Sequence, residues 1–257
     1  MRARDRREQV LRLASERGLA SVDDLAQRFG VTASTIRRDL ALLSETGRLA
    51  RTYGGAIPLT PGAEASRTQR DHVAFEAKRS IAAWAAGRVQ AGSTAFLDAG
   101  TTVAQLALEV SVLTDVTVGT TSLPAIRHLQ GSEGITLNCL GGRFRANSDA
   151  FIGPLAESAL EKMSFDVAFL GADGVSAERG LCEAELEQTR FKELVCRRAT
   201  DLYVLAHGSK LEHSPFPYWA RLPTPWTLVT DGSADPTAVA GFEARGVRVV
   251  LAPHLYA

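Results

Sequence analysis

From residue 94 to residue 251 the chain alternates short, almost wholly apolar runs with segments of helical period, and that alternation leaves few folds open. The apolar runs are Thr94–Leu97, Val116–Gly119, Ile135–Leu140, Val167–Leu170, Leu202–Leu205, Thr227–Thr230 and Val247–Leu251. The helical segments are Phe75–Val89, Val103–Val110, Leu123–Leu129, Leu155–Met163, Leu186–Arg198 and Val239–Arg245. Strands that are apolar at nearly every position are buried on both faces, and strands separated by helices pair in parallel. We therefore expect an α/β main domain, a largely parallel sheet with helices on both faces, over residues 75–257.

A different pattern precedes it. Val10, Leu11, Leu13 and Ala14 form the apolar face of a first helix that stops at Gly18. Ser21 can cap a second, with Asp24 in its first turn, Val22, Leu25, Ala26 and Phe29 as its buried stripe, and Gly30 as its stop. Thr32 can cap a third, on which Ile36, Leu40 and Leu43 repeat at helical spacing. On a 3.6-residue wheel Ser34 and Arg38 fall opposite that face, flanked by Thr35 and Arg37. Small hydroxyls and guanidiniums on the outer face of a short helix suit the major groove of DNA. Three short helices with a tight turn before the last form a helix-turn-helix. Residues 47–58 then read as a two-stranded wing turning at Gly54-Gly55, from which Arg48, Arg51 and Tyr53 could touch the DNA backbone. The expected DNA-binding residues are thus Thr32, Ser34, Thr35, Arg37, Arg38, Arg48, Arg51 and Tyr53. The small winged domain spans residues 1–57, and a stretch rich in Pro, Gly, Ala, Ser and Thr, residues 58–74, reads as a linker.

Charge agrees with this division. The chain is neutral overall, with 45% hydrophobic and 23% charged residues. Through residue 57 it holds 11 Arg and no Lys against seven acidic residues, so the head is basic and the body mildly acidic. Cys139, Cys182 and Cys196 lack metal-ligand spacing, and their odd number without an apolar leader leads us to expect a reducing cytoplasm. Cys139, inside an apolar run, is expected in the core. No stretch is apolar enough to suggest a membrane span, and no residue pattern suggests a metal or cofactor.

In parallel sheets ligands bind beyond the carboxyl ends of the strands. The first strand ends in Asp98-Ala99-Gly100-Thr101-Thr102 and runs into a helix whose first N–H groups would favour a phosphate. Thr120-Thr121-Ser122, Gly141-Gly142-Arg143, Gly171-Ala172-Asp173-Gly174 and His207-Gly208-Ser209-Lys210 fall at other strand ends, and Lys192 sits on a following helix. Glycine access, hydroxyls, carboxylates and cations together suit a small phosphorylated sugar or polyol. The expected effector-binding residues are Asp98, Gly100, Thr101, Thr102, Thr120, Thr121, Ser122, Gly142, Arg143, Asp173, Lys192 and Lys210.

The run Thr35-Ile36-Arg37-Arg38-Asp39-Leu40, followed by Arg51 and Gly54-Gly55-Ala56, resembles the DNA-binding domain of the DeoR family of bacterial sugar-metabolism regulators. Lys78, Asp98-x-Gly-Thr-Thr, Thr120 with Ser122, Gly141-Gly142, Gly153, Asp173-Gly174, Lys192 and Ser209-Lys210 resemble the sensor domain of the same family, which is similar in fold to ribose-5-phosphate isomerase. The resemblance implies a sugar phosphate bound at the strand ends that alters DNA affinity. The sequence departs from the family pattern at Tyr53, Thr121, His207, the Cys182-Glu183-Ala184 stretch and Gln188.

The expected function is a sequence-specific transcriptional regulator, a repressor, acting on double-stranded operator DNA as a homodimer or higher homo-oligomer. The alternative is a sugar-phosphate isomerase or deaminase with an appended DNA-binding domain, in which Asp98, Asp173 or Glu183 would serve as base. No pair of groups is spaced for proton transfer, so no residue is assigned a catalytic role.

Overall fold

The computed structural model describes residues 3–17, 20–45, 49–52, 55–58, 64 and 67–254. It divides into two compact units, Met1–Phe75 and Glu76–Ala257.

The first unit contains α1 (Ala3–Arg17), β1 (Ala20–Ser21), α2 (Val22–Phe29), α3 (Ala33–Glu45), β2 (Leu49–Thr52) and β3 (Gly55–Pro58). The Ser21 hydroxyl accepts the Asp24 N–H at 3.0 Å and starts α2. Gly30, at φ +61°, ends it in the left-handed conformation. The Thr32 hydroxyl accepts the Thr35 N–H at 3.3 Å at the start of α3. Val10, Leu13, Val22, Leu25, Ile36, Leu40 and Leu43 close over one another as a small core. β2 and β3 pair antiparallel, with Thr52 opposite Gly55. The wing has one strand more than expected, because β1 pairs with β3, Ala20 opposite Ala56. The cap residue Ser21 must be extended to reach the first turn of α2, and the extended backbone it shares with Ala20 is free to join the sheet. A five-residue helix, α4 (Arg67–Asp71), falls inside the stretch expected as linker and carries an i,i+4 ion pair, Arg67 to Asp71 at 3.3 Å.

The second unit runs α5 (Phe75–Ala86), β4 (Thr94–Leu97), α6 (Thr101–Val110), β5 (Val116–Thr120), α7 (Leu123–Leu129) and β6 (Ile135–Cys139). It continues with β7 (Arg143–Arg145), β8 (Ala150–Ile152), α8 (Pro154–Leu160), β9 (Phe165–Leu170), β10 (Gly174–Ser176) and β11 (Gly180–Glu183). The last elements are α9 (Leu186–Arg198), β12 (Ala199–Leu205), β13 (Tyr218–Ala220), β14 (Thr227–Thr230), α10 (Pro236–Glu243) and β15 (Arg248–Leu251). Seven strands form a parallel sheet in the order β15-β14-β12-β9-β4-β5-β6. Alternate residues enter two cores. Ala95 and Leu97 pack with Ile81, Leu106 and Leu129 from α5, α6 and α7. Phe96 packs with Leu160, Phe191 and Phe242 from α8, α9 and α10. The inner strands β4, β5 and β9 are buried at nearly every position because both faces are covered, while the edge strands β6 and β15 are largely exposed.

Two small elements were not expected. β7 and β8 form an antiparallel hairpin, and β10, β11 and β13 a separate antiparallel sheet. Their strands are three or four residues long, too short for a period of two to register. Cys139 corrects an expectation: it is exposed, not in the core. It closes β6, the edge strand of the sheet, which has a neighbour on one side only.

Candidate DNA-binding face and candidate effector site

On α3 the apolar positions Ile36, Leu40 and Leu43 are buried, which turns Ser34, Arg37 and Arg38 to solvent and leaves Thr35 half-buried. Thr32 is exposed, and its hydroxyl lies 2.8 Å from that of Ser34 and 3.0 Å from that of Thr35, a hydroxyl cluster at the start of the helix. Asp39 is buried instead, and Arg6 Nε donates to its Oδ2 at 2.6 Å. This pair locks α1 to α3 and fixes the angle at which the outer face of α3 is presented. An acidic residue between Arg38 and Leu40 in a basic head was the sequence signal for it. Arg51 lies on β2 opposite Ala56. Arg48 and Tyr53 lie outside the described residues.

In the second unit the carboxyl ends of β4, β5, β9, β12 and β14 share one edge of the sheet, and side chains stitch them together. Asp98, just past β4, accepts the Gly171 N–H past β9 at 3.1 Å. The buried Thr120 hydroxyl donates to the Leu97 carbonyl at 2.6 Å and accepts the Ser122 N–H at 3.0 Å. Ser122 in turn caps α7. Past β14, Asp231 accepts the Gly208 N–H at 2.8 Å.

Lys192 reaches from α9 into this edge and is almost fully buried. Its ammonium lies 3.0 Å from Asp98 Oδ2 and also donates to Glu183 and to the Gly171 carbonyl. Three acceptors match the three donors of an ammonium. Burial works against its charge, but Asp98 and then Glu183 overcome it and raise the Lys192 pKa. Burial pushes Glu183 up to about 7, further than Lys192 pulls it down, with Asp173 and Asp98 adding repulsion. One ammonium facing two buried carboxylates favours keeping one proton.

α6 begins at Gly100, φ +144°, with no side-chain cap, and Thr101 and Thr102 are buried in its first turn. That φ favours glycine. Gly142 is required too: a Cβ there would lie 2.6 Å from the Ile152 carbonyl oxygen, where the β7–β8 hairpin folds back. The hairpin is pinned beside β5, since Phe151 N–H donates to the Thr121 carbonyl. Arg143 leaves it exposed and pairs with Glu187 at the start of α9, while the buried Arg145 meets Glu185 at 2.8 Å.

Lys210 donates to the Ala172 carbonyl, and Asp173 is half-buried beside it in sequence. Lys78 and His207 join the neighbourhood without having been counted as site residues, as does Glu183, read from the sequence only as a base in the enzyme alternative. Burial lowers the His207 pKa, and Lys78 and Lys210 lower it further against the pull of Asp231. Burial works against the Asp231 carboxylate, yet hydrogen bonds from Ser233 and the Gly208 N–H hold it below the usual range. The strand-end motif thus brings Asp98, Gly100, Thr101, Thr102, Lys192 and Lys210 around one edge. Arg143 stands apart at the hairpin–α9 junction.

Comparison with known proteins agrees with both halves. Residues 6–61 match the DeoR-like helix-turn-helix domain, and residues 73–232 the DeoR C terminal sensor domain. The chain is 34% identical over 248 residues to the HTH-type transcriptional regulator GlpR of Haloferax volcanii, covering 96% of both. It is 32% identical over 250 residues to the putative aga operon transcriptional repressor of Escherichia coli O157:H7, covering 96% of this chain and 93% of the other. A partial overlap with ribose 5-phosphate isomerase A of Methanocaldococcus jannaschii covers 52% of each chain at 24% identity, with a TM-score of 0.38. Fold and sequence together define a transcriptional regulator in which a DNA-binding head precedes a sensor for a small molecule. The chain belongs to the DeoR family. Among the described residues no helix is long and apolar enough to cross a membrane.

Proposed function

We propose that the protein is an operator-binding repressor whose DNA affinity is set by a phosphorylated sugar or polyol at the strand ends of the second unit. One observation carries this reading: the uncapped start of α6 at Gly100-Thr101-Thr102 adjoins Asp98, which Lys192 and the Gly171 N–H hold in place. Backbone N–H groups at a helix start take a phosphate, and a fixed carboxylate beside them takes sugar hydroxyls. In this reading Lys192 is a positioning residue, since its donors are engaged within the protein, and Lys210 supplies cationic charge to the ligand. Glu183, the group closest to a catalytic base, is tied to Lys192, which favours a regulator over an isomerase. The names of relatives agree: alongside the aga operon repressor, the lactose phosphotransferase system repressor of Streptococcus mutans is 32% identical over 239 residues, covering 91% of this chain and 94% of the other. Residues 1–57 read DNA, 58–74 link, and 75–257 sense the ligand. One helix-turn-helix covers one half-site, so operator binding calls for a dimer or larger assembly.

The test is a thermal-shift and calorimetric screen with ribose 5-phosphate, glycerol 3-phosphate and hexose 6-phosphates. It is paired with anisotropy on an operator selected from random duplexes. A true effector raises the melting temperature and changes operator affinity by roughly 5- to 150-fold. Thr102→Glu, which sets a carboxylate where the phosphate would lie, abolishes that response while DNA binding persists. Thr102 is buried, so Lys210→Gln serves as the second variant. A panel without any shift, or both variants responding as wild type does, overturns the reading.

A further inference from the structure

Away from the strand-end edge the second unit has a cleft of about 670 Å³. Trp226 and Val247 line it, and they precede β14 and β15, at the opposite, amino-terminal ends of those strands. Both are buried, and Trp226 is braced edge-on against Phe242 with centroids 6.0 Å apart, so the floor is apolar and rigid. The rim is cationic: of the lining residues Arg179, Arg221 and Arg245 are basic and one, Glu178, is acidic and lies 3.5 Å from Arg245. The Arg179 guanidinium lies 3.9 Å from the centre of the Trp219 ring and donates to Ser214 at 3.2 Å, so its plane is set in advance. The Arg221 backbone N–H is pinned to Glu193 at 3.0 Å, which leaves its side chain at the rim.

We infer that this cleft is a second ligand site and that it takes a mononucleotide: the base against the indoles, the phosphate between Arg179 and Arg221, the ribose hydroxyls toward Glu178. Planar guanidiniums match phosphate geometry in pairs. Indole faces and guanidinium planes stack on a base of any identity. The volume lies within the range of small-molecule sites. Trp219 is only half-buried, and a sugar phosphate without a ring system would add no stacking to it. The cleft and the strand-end edge share β11, whose Gly180 lines the one and whose Glu183 pairs with Lys192 in the other.

The experiment follows tryptophan fluorescence of the full chain, in a Trp84→Phe background so that the signal comes from Trp219 and Trp226. AMP, adenosine, ribose 5-phosphate and inorganic phosphate are titrated separately. AMP is expected to give a saturable change, with adenosine and phosphate at least about tenfold weaker, as one charge-assisted bond lost would produce. Arg221→Ala and Arg179→Ala each weaken AMP by about tenfold or more, and the half-buried Lys210→Gln at the strand-end edge leaves it unchanged. Flat titrations to millimolar AMP, AMP binding indifferent to both arginine variants, or ribose 5-phosphate matching AMP each overturn the assignment. AMP binding lost in Lys210→Gln but kept in the arginine variants would move the nucleotide to the strand-end site and overturn it equally.

Discussion

In the head, Thr32, Ser34, Arg37 and Arg38, four of the groups expected to meet DNA, are exposed, and the apolar face of α3 beneath them holds the fold. In the second unit, Asp98, Thr101, Thr102, Thr120, Thr121, Ser122 and Lys192 are all buried, and several bond one another. A reader of DNA must present donors to a partner as large as itself, whereas a sensor must enclose a small one. The head can therefore exchange Ser34, Arg37 or Arg38 with little consequence for stability, whereas Thr32 also starts α3. In the sensor, substitution of these buried polar residues is also a stability mutation.

The contrast is sharpest at Lys192. Lys192→Met leaves Asp98 and Glu183 buried without their cation, and loss of one partner of a buried pair costs about 3–5 kcal/mol. Urea denaturation should show that loss. If Lys192→Met is near neutral, the buried charges are not coupled and the comparison fails on its sensor side.

Arg38→Ala probes the other side. It should reduce affinity for the selected operator by roughly 1–3 kcal/mol if the contact is to a base. The melting temperature should not move. A drop in stability without a drop in affinity would make Arg38 part of the fold.

A pH series refines the sensor. The Glu183 pKa is raised from 4.5 to about 7 in the folded chain. Between those values the folded chain keeps a proton that the unfolded chain releases. The stability from this group is therefore complete below about pH 4.5 and falls as pH rises toward 7. Glu183→Gln mimics the protonated form. Wild type should lose about 1–3 kcal/mol relative to that variant between pH 5 and pH 8. Parallel pH profiles would mean that Lys192 keeps Glu183 ionised throughout.

The smallest effect is at the wing. Arg51→Ala should weaken operator and random DNA alike and reduce the slope of log affinity against log salt by about one. A loss confined to the operator would make Arg51 a base reader.

Most of the main sheet was legible because its inner strands are covered on both faces and left apolar runs separated by helices. The third helix of the head was legible through its cap and its period. The β7–β8 hairpin and the β10-β11-β13 sheet left no such trace. Nor did the linker helix α4, whose five residues hold an ion pair in place of an apolar stripe. At the candidate effector site the residue types past each strand could be read, but not their partners. Lys192 was expected to meet the effector, and its ammonium is bound on three sides within the protein.

By itself the sequence determined the local matters: the strands of the main sheet with their helices, the three helices of the head, where the caps fall, which face of α3 is apolar, and which polar groups follow each main strand. These depend on neighbours a few residues apart, and period and capping encode them directly. Only the tertiary structure decided that Arg6 meets Asp39, that Glu183 shares the ammonium of Lys192 with Asp98, and that Cys139 sits on an open edge. Those outcomes depend on strand order and on side chains distant in sequence, and they are settled by which charges burial forces together.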